Sequence, residues 1–175
     1  GDLDRGERAL APLRDVDDSL VDSIRRRPYT AWQRAGASTE AARTSQQSRY
    51  FEHLSDAAID TFVDRATDVP SPRSTAYFMS HDGAVTDVPS DATAYPHRDA
   101  SHLLVVESRW EDAEADDRHV AWVRECVEAL EPHGTGGMWV NALTDIDPEA
   151  AFGDNYERLL ALRDEWDPDG VFRPK

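Results

Sequence analysis

In residues 92–110 the run ATAYPHRDASHLLVVESRW puts an imidazole, a guanidinium and a carboxylate on or beside one apolar stretch. Pro96 fixes an extended entry, and His97 and Arg98 stand directly before the β-branched, apolar segment. An imidazole there could move a proton or hold a polar group of a ligand. Arg98 either joins such a site or pairs with a carboxylate that fixes its own loop. Glu107 ends the segment LLVVE, where apolar neighbours could raise its pKa enough to make it a base. It reads either as that or as the surface of an edge strand. Alternation along the strand puts Leu103, Val105 and Glu107 on one face and His102, Leu104 and Val106 on the other.

Other chemistries have no foothold. The HDG of His81 to Gly83 reads as a turn between two strands before it reads as part of a metal site. His97, His102, His119 and His133 form neither HExxH nor a Cys/His pairing, so no metal site is expected. GxSxG and glycine-rich phosphate loops are absent. Cys126, the single cysteine, lies in a helical run and reads as a buried structural thiol.

The elements that must position these groups follow from periodicity. Asp18 or Ser19 could cap a helix from Leu20 to Arg27, ended by Pro28, after an opening that reads as polar turn. Ser48 to Leu54 reads as a strand, and Ser55 caps a helix with Ala58, Ile59, Phe62, Val63 and Ala66 at helical spacing. STAYFMSHDGAVTDV reads as a strand, a turn and a second short strand. SHLLVVESRW is a buried strand, and Asp116 or Asp117 opens a long helix to Leu130 with Val120, Val123, Val127 and Leu130 on one stripe. GMWVNAL is expected to be the last strand and Asp154 to Trp166 the last helix, stopped by DPDG. Strands and helices mix without a βαβ period, which predicts an α+β fold, an antiparallel β-sheet covered by helices. No linker or repeat divides the chain, so one domain is expected over residues 1–175.

Composition narrows the partners. The 175 residues hold 35 Asp plus Glu against 19 Lys plus Arg, a formal charge of −16, which repels nucleic-acid backbones. Five Trp, five Tyr and five Phe argue for a folded chain rather than acidic disorder. Lys175 is the only lysine. An acidic, lysine-poor surface suits a cytoplasm at molar salt, where a Debye length of about 3 Å screens self-repulsion, so a halophile's cytoplasmic protein is expected. No stretch is apolar enough for a membrane span, and none resembles a signal peptide.

The motifs also run in a familiar order. PYTAWQ at Pro28 to Gln33, the DGAV turn, TAYPHR, HVAWVR, WVNAL, FGDNYERL and DPDGVFR span nearly the whole chain. Together they resemble the C-terminal, substrate-binding part of the FAD-linked oxidases of the berberine bridge enzyme type, relatives of 6-hydroxynicotine oxidase. The resemblance implies FAD as cofactor, held mostly by an N-terminal FAD-binding domain that is absent from this chain and would be its partner. This part would cover the flavin ring and shape the pocket of a small-molecule substrate, and alone it would be inactive. It implies cofactor contacts for Asn141, Asn155 and Trp139, with an N-terminal cap as the other reading of Asn155. Trp139 stands where the family often has Tyr, and an indole cannot act as a phenolic base. Leu103 and Val105 occupy pocket positions that are polar in plant relatives. A base would come from His97, from Glu107 or from the absent domain. A non-catalytic binding or assembly module that has lost its flavin partner is the alternative. A truncated sheet would leave an exposed edge through which a homodimer could form.

Overall fold

A computed structural model describes residues 2–15, 22, 24–35, 42–141 and 147–172. They divide into two compact units, Gly1–Ala41 and Ala42–Lys175.

In the first unit the opening is helical rather than turn-like. Helix α1 spans Leu3–Arg14, because the Asp2 carboxylate accepts the Arg5 N–H at 3.0 Å and caps the first turn. The helix expected over Leu20 to Arg27 is not confirmed. Asp18, Ser19, Leu20, Val21 and Ser23 lie outside the described residues, and residues 24–27 are not helical. Four residues ahead of Pro28 are too few to repay nucleation, and proline disfavours helical backbone just before it. The Pro28 carbonyl instead accepts from Ala31 and Trp32 and opens α2, Tyr29–Ala35.

The second unit is α+β. Its strands are β1, Arg43–Phe51, β2, Thr75–Ser80, and β3, His102–Trp110, in the order β1-β3-β2 with both pairings antiparallel. Helices α3, Asp56–Ala66, and α4, Asp116–Leu130, cover one face. There Phe51, Leu104 and Val106 meet Ala58, Val123, Cys126, Val127 and Leu130. Ser55 caps α3 as expected, its hydroxyl accepting the Ala58 N–H at 3.2 Å. The short helices α5, Pro148–Phe152, and α6, Tyr156–Trp166, are joined by a single 3-10 turn at Gly153–Asn155. The Asp167 carboxylate accepts from the backbone of Val171 and Phe172, and this closes the DPDG stop.

Four expectations fail for physical reasons. After β2 the DGAV segment forms a 3-10 turn, not a second strand, and β2 pairs with β3 instead. Asp82 accepts from the Gly83 N–H at 2.6 Å, and Gly83 takes φ 73°, which favours glycine. The stripe of α4 holds at Val123, Val127 and Leu130 but not at Val120, which is 44% exposed while His119 is buried in its place, because Ser108 of β3 offers His119 a hydrogen-bond partner. β3 is the central strand, so the edge-strand reading of Glu107 is withdrawn. Residues 137–141 of GMWVNAL are not a strand, and Ala142 and Leu143 lie outside the described residues. That segment makes one backbone hydrogen bond to β1, from the Tyr50 N–H to the Gly137 carbonyl at 3.0 Å. Met138 then donates to Ala150 and Trp139 to the Ser48 hydroxyl, so no strand ladder can propagate.

Candidate functional site

The helix-free face of the sheet carries the candidate site. Cross-strand register puts Tyr50 beside Leu103, Ser48 beside Val105 and Gln46 beside Glu107 on β1, with Met79, Tyr77 and Thr75 opposite them on β2. Loops cover one half of this face. Tyr50, Ala100, Leu103 and Val105 are buried there, and Tyr95 and Trp139 pack against them.

Three rings converge over Tyr50. The His97 imidazole stacks on its phenol with centroids 4.4 Å apart, while His81 and Tyr95 approach edge-on at 5.7 and 6.1 Å. The Tyr95 hydroxyl lies 2.8 Å from His81 Nε2, and His81 Nδ1 lies 3.0 Å from the Ala100 carbonyl. A carbonyl can only accept, so Nδ1 carries a proton, and the Tyr95 hydroxyl lies between His81 Nε2 and the His97 carbonyl, 3.2 Å away. Burial raises the pKa of Tyr50, helped by the neighbouring Tyr95 hydroxyl, and burial also raises that of Tyr95 against the opposing Arg98 charge. Both phenols therefore stay protonated near neutral pH and act as donors.

The expected site residues fall into different places. His97 is within this cluster but committed, because its Nε2 donates to the Ala151 carbonyl at 3.0 Å. Burial lowers its pKa, opposed by the Ala151 and Ala150 carbonyls and reinforced by His81. Its other edge lies against Gly137, where a Cβ would come within 2.4 Å of His97 Cε1. Glu107 is not brought to this cluster. It lies four residues from Leu103, about 13 Å along the strand at roughly 3.3 Å per residue, and faces Arg109 at 3.6 Å. Leu103 and Val105 form the buried floor. Trp139 packs against that floor, and Asn141 is exposed in a turn.

Asn155 is 8% exposed and makes no side-chain cap for α6. Its amide nitrogen instead donates to the Ser90 and Thr93 carbonyls at 2.6 and 3.0 Å, which fastens the loop before Tyr95 to α6. Arg98 does not pair with a carboxylate. It donates to the Val85 carbonyl and the Thr93 hydroxyl and lies 4.8 Å above the Tyr95 ring. Its Nε is buried with no hydrogen-bond partner.

Sequence reasoning missed Tyr50, His81 and Tyr95. Tyr95 stands two residues before His97, and Tyr50 shares the face of Leu103, but neither signal exists until the strand register is known. Among the described residues no group of His, Cys, Asp and Glu is arranged to hold a metal ion. No described helix is long and apolar enough to cross a membrane.

The comparisons agree with this architecture. Residues 141–175 match the family described as berberine and berberine like. An FAD-linked oxidoreductase of Pestalotiopsis fici is 28% identical over 191 residues, 99% of this chain and 37% of the relative. One of Gibberella zeae is 24% identical over 175 residues, 95% of this chain and 34% of the relative. The aclacinomycin oxidase of Streptomyces galilaeus is 28% identical over 116 residues, 54% of this chain and 21% of the relative. Among solved structures, aclacinomycin oxidoreductase superposes with a TM-score of 0.72 at 25% identity, covering 99% of this chain and 41% of that one. The oxidoreductase of the terminal step of gilvocarcin biosynthesis gives 0.76 at 23% identity, covering 97% and 41%. The chain thus spans 37%, 34% and 21% of the length of these three curated relatives, and the first two are FAD-linked oxidoreductases.

Proposed function

We propose that the chain is the substrate-binding portion of an FAD-dependent oxidoreductase, related to 6-hydroxynicotine oxidase, whose helix-free sheet face covers the flavin ring and shapes the pocket. The observation that carries this is the apolar floor of Leu103 and Val105 with the Trp139 indole against it and the exposed Asn141 amide two residues on. That donor set fits a planar heterocycle: the indole offers an apolar plane, and an amide both donates and accepts at its rim. Trp139 and Asn141 would hold the ring, and Asn155 would set α6 and the loop before Tyr95 behind it. When bound, FAD supplies the hydride acceptor. The chain's own residues contribute an apolar, water-excluding floor, which suits an aromatic or apolar substrate. Residues 1–175 act in this reading as one C-terminal substrate-binding domain, with the FAD-binding domain as partner and a high-salt cytoplasm as setting.

The non-catalytic module remains the second reading because of two observations. His97 is spent on stacking and on the Ala151 carbonyl, and Glu107 lies about 13 Å along β3 from the floor. Neither expected base is free at the cluster. Mixing the chain with a matching FAD-binding domain separates the two. The enzyme reading expects a yellow complex that substrate bleaches, and a complex inert to a broad panel of alcohols, amines and sugars supports the module. A thermal midpoint no higher in molar KCl than in dilute buffer would remove the halophilic setting.

A further inference from the structure

We infer that His81 and Tyr95 form a proton-operated hydrogen-bond switch, in which the charge on one imidazole decides which acceptor the Tyr95 hydroxyl serves. The Tyr95 oxygen carries one proton and two lone pairs, and three groups compete for them. His81 Nε2 lies 2.8 Å away and the His97 carbonyl 3.2 Å away, while the Tyr50 hydroxyl donates to the same oxygen. The carbonyl can only accept. Nε2 can do either, because Nδ1 holds its own proton on the Ala100 carbonyl at 3.0 Å. With His81 neutral, Nε2 offers a lone pair and takes the Tyr95 hydroxyl proton as a hydrogen bond. With His81 protonated from solvent, Nε2–H donates to the Tyr95 oxygen, and the hydroxyl turns to the His97 carbonyl. Every donor of the set has an acceptor in both states, so the change orphans no buried N–H or O–H.

The surroundings decide where a proton can enter. His81 is half-buried and meets Tyr50 of β1 edge-on, Tyr95, His97 and the Ala100 carbonyl from the loop, and Asp82 in its own turn, whose carboxylate accepts from the Gly83 N–H. The fixed cation of the loop, Arg98, lies 4.8 Å above the far partner, the Tyr95 ring. Burial holds both phenols protonated. His97 is the second imidazole, but its Nε2 is spent on the Ala151 carbonyl, burial opposes its charging, and a charge on His81 opposes it further. Nε2 of His81 is therefore the place where a proton is accepted without breaking a tie. Charging it keeps the link from the end of β2 to the loop and adds a second link inside that loop, at the peptide ahead of Arg98. Acid thus opens the loop at His97 and not at His81. The groups that exchange the bond lie within residues 50–100, so the switch works whether or not the chain serves a flavin.

A pH titration of the full chain followed by nuclear magnetic resonance, from about pH 8 to about pH 5 to span the ordinary histidine range, tests the inference. Ring nitrogen shifts should show neutral His81 as the Nδ1–H tautomer. The His97 carbonyl carbon should move downfield with the same midpoint as the His81 ring, because it gains a hydrogen bond only when His81 is charged. Tyr95→Phe removes the hydroxyl that turns and should abolish the carbonyl shift while His81 still titrates. His97→Gln keeps the backbone carbonyl and should keep the shift. Neutral His81 found as the Nε2–H tautomer, or a carbonyl that stays still as His81 charges, overturns the proposal, and both are read on the unsubstituted chain. A shift that persists in Tyr95→Phe, or one that vanishes in His97→Gln and so reports the charging of His97 itself, overturns it equally.

Discussion

Leu104 and Val106 leave β3 on one side and meet α3 and α4, while Leu103 and Val105 leave the same strand on the other and meet Tyr50, Ala100, Tyr95 and Trp139. Both pairs are buried, yet they are closed by different means. Helices of 11 and 15 residues close the first and satisfy their own backbone groups. The second is closed by loops that single polar ties hold down: His81 to Ala100, His97 to Ala151, Asn155 to Ser90 and Thr93, and Trp139 to Ser48. Stability on the helix side scales with packed area, and on the loop side with a few hydrogen bonds. Local opening is cheapest where backbone groups depend on such ties, and binding surfaces are commonly built there.

The largest expected effect contrasts the two sides directly. Leu104→Ala should cost about 2–5 kcal/mol in chemical denaturation, because rigid helices cannot collapse into the cavity. Leu103→Ala should cost measurably less, because loops can follow the lost side chain. Equal losses would break the comparison.

The same contrast explains what was legible in the sequence. β3, α3 and α4 were readable because alternation and helical spacing are local, and Ser55 announces its own cap. The stripe of α4 was right at Val123, Val127 and Leu130 and missed at its first position, because Val120 is more apolar than His119. The tie between His119 and Ser108, 2.7 Å long and eleven residues apart, decides otherwise. On the loop side almost nothing local points to the outcome. GMWVNAL has the composition of a strand, but Met138 donates to the Ala150 carbonyl and Trp139 to the Ser48 side chain, partners that no periodicity announces. His97 stacks on Tyr50 beside the floor, and Tyr50, His81 and Tyr95, which complete its surroundings, are separated from it by up to 47 positions of chain.

A smaller effect tests the loop side alone. Gly137 is required by close approach rather than by its backbone angles, since an added Cβ meets His97 Cε1 at 2.4 Å and Nδ1 at 2.6 Å. Gly137→Ala should cost about 1–3 kcal/mol and displace His97 from Tyr50, visible as altered ring-current shifts of the Tyr50 resonances. With His97→Ala already in place the clash is gone, so the double substitution should cost less than the sum of the two. Additive costs would show that His97 is not what Gly137 accommodates.

The smallest effect links the two sides through acid. Each hides one histidine whose pKa burial lowers: His97 on the loop side and His119, stacked on Trp110 at 4.5 Å, on the helix side. A base whose folded pKa lies below its unfolded value, about 6.5 for histidine, binds fewer protons in the folded state. Its stabilising contribution is therefore complete above about pH 6.5 and is lost as pH falls below it, at no more than about 1.4 kcal/mol per pH unit for each group. The Asp116 and Arg43 pair beside His119 keeps its charge through this window, because hydrogen bonds from Arg43 and Trp110 hold the Asp116 carboxyl below its usual range. Denaturation midpoints from pH 8 to pH 5 should therefore decline for the unsubstituted chain and less steeply for His97→Gln. Amide exchange should show the loops opening before α4 as pH falls, since His97 is one of the few ties that hold them. Simultaneous opening of both sides would mean that the polar ties and the helical core unfold as one unit.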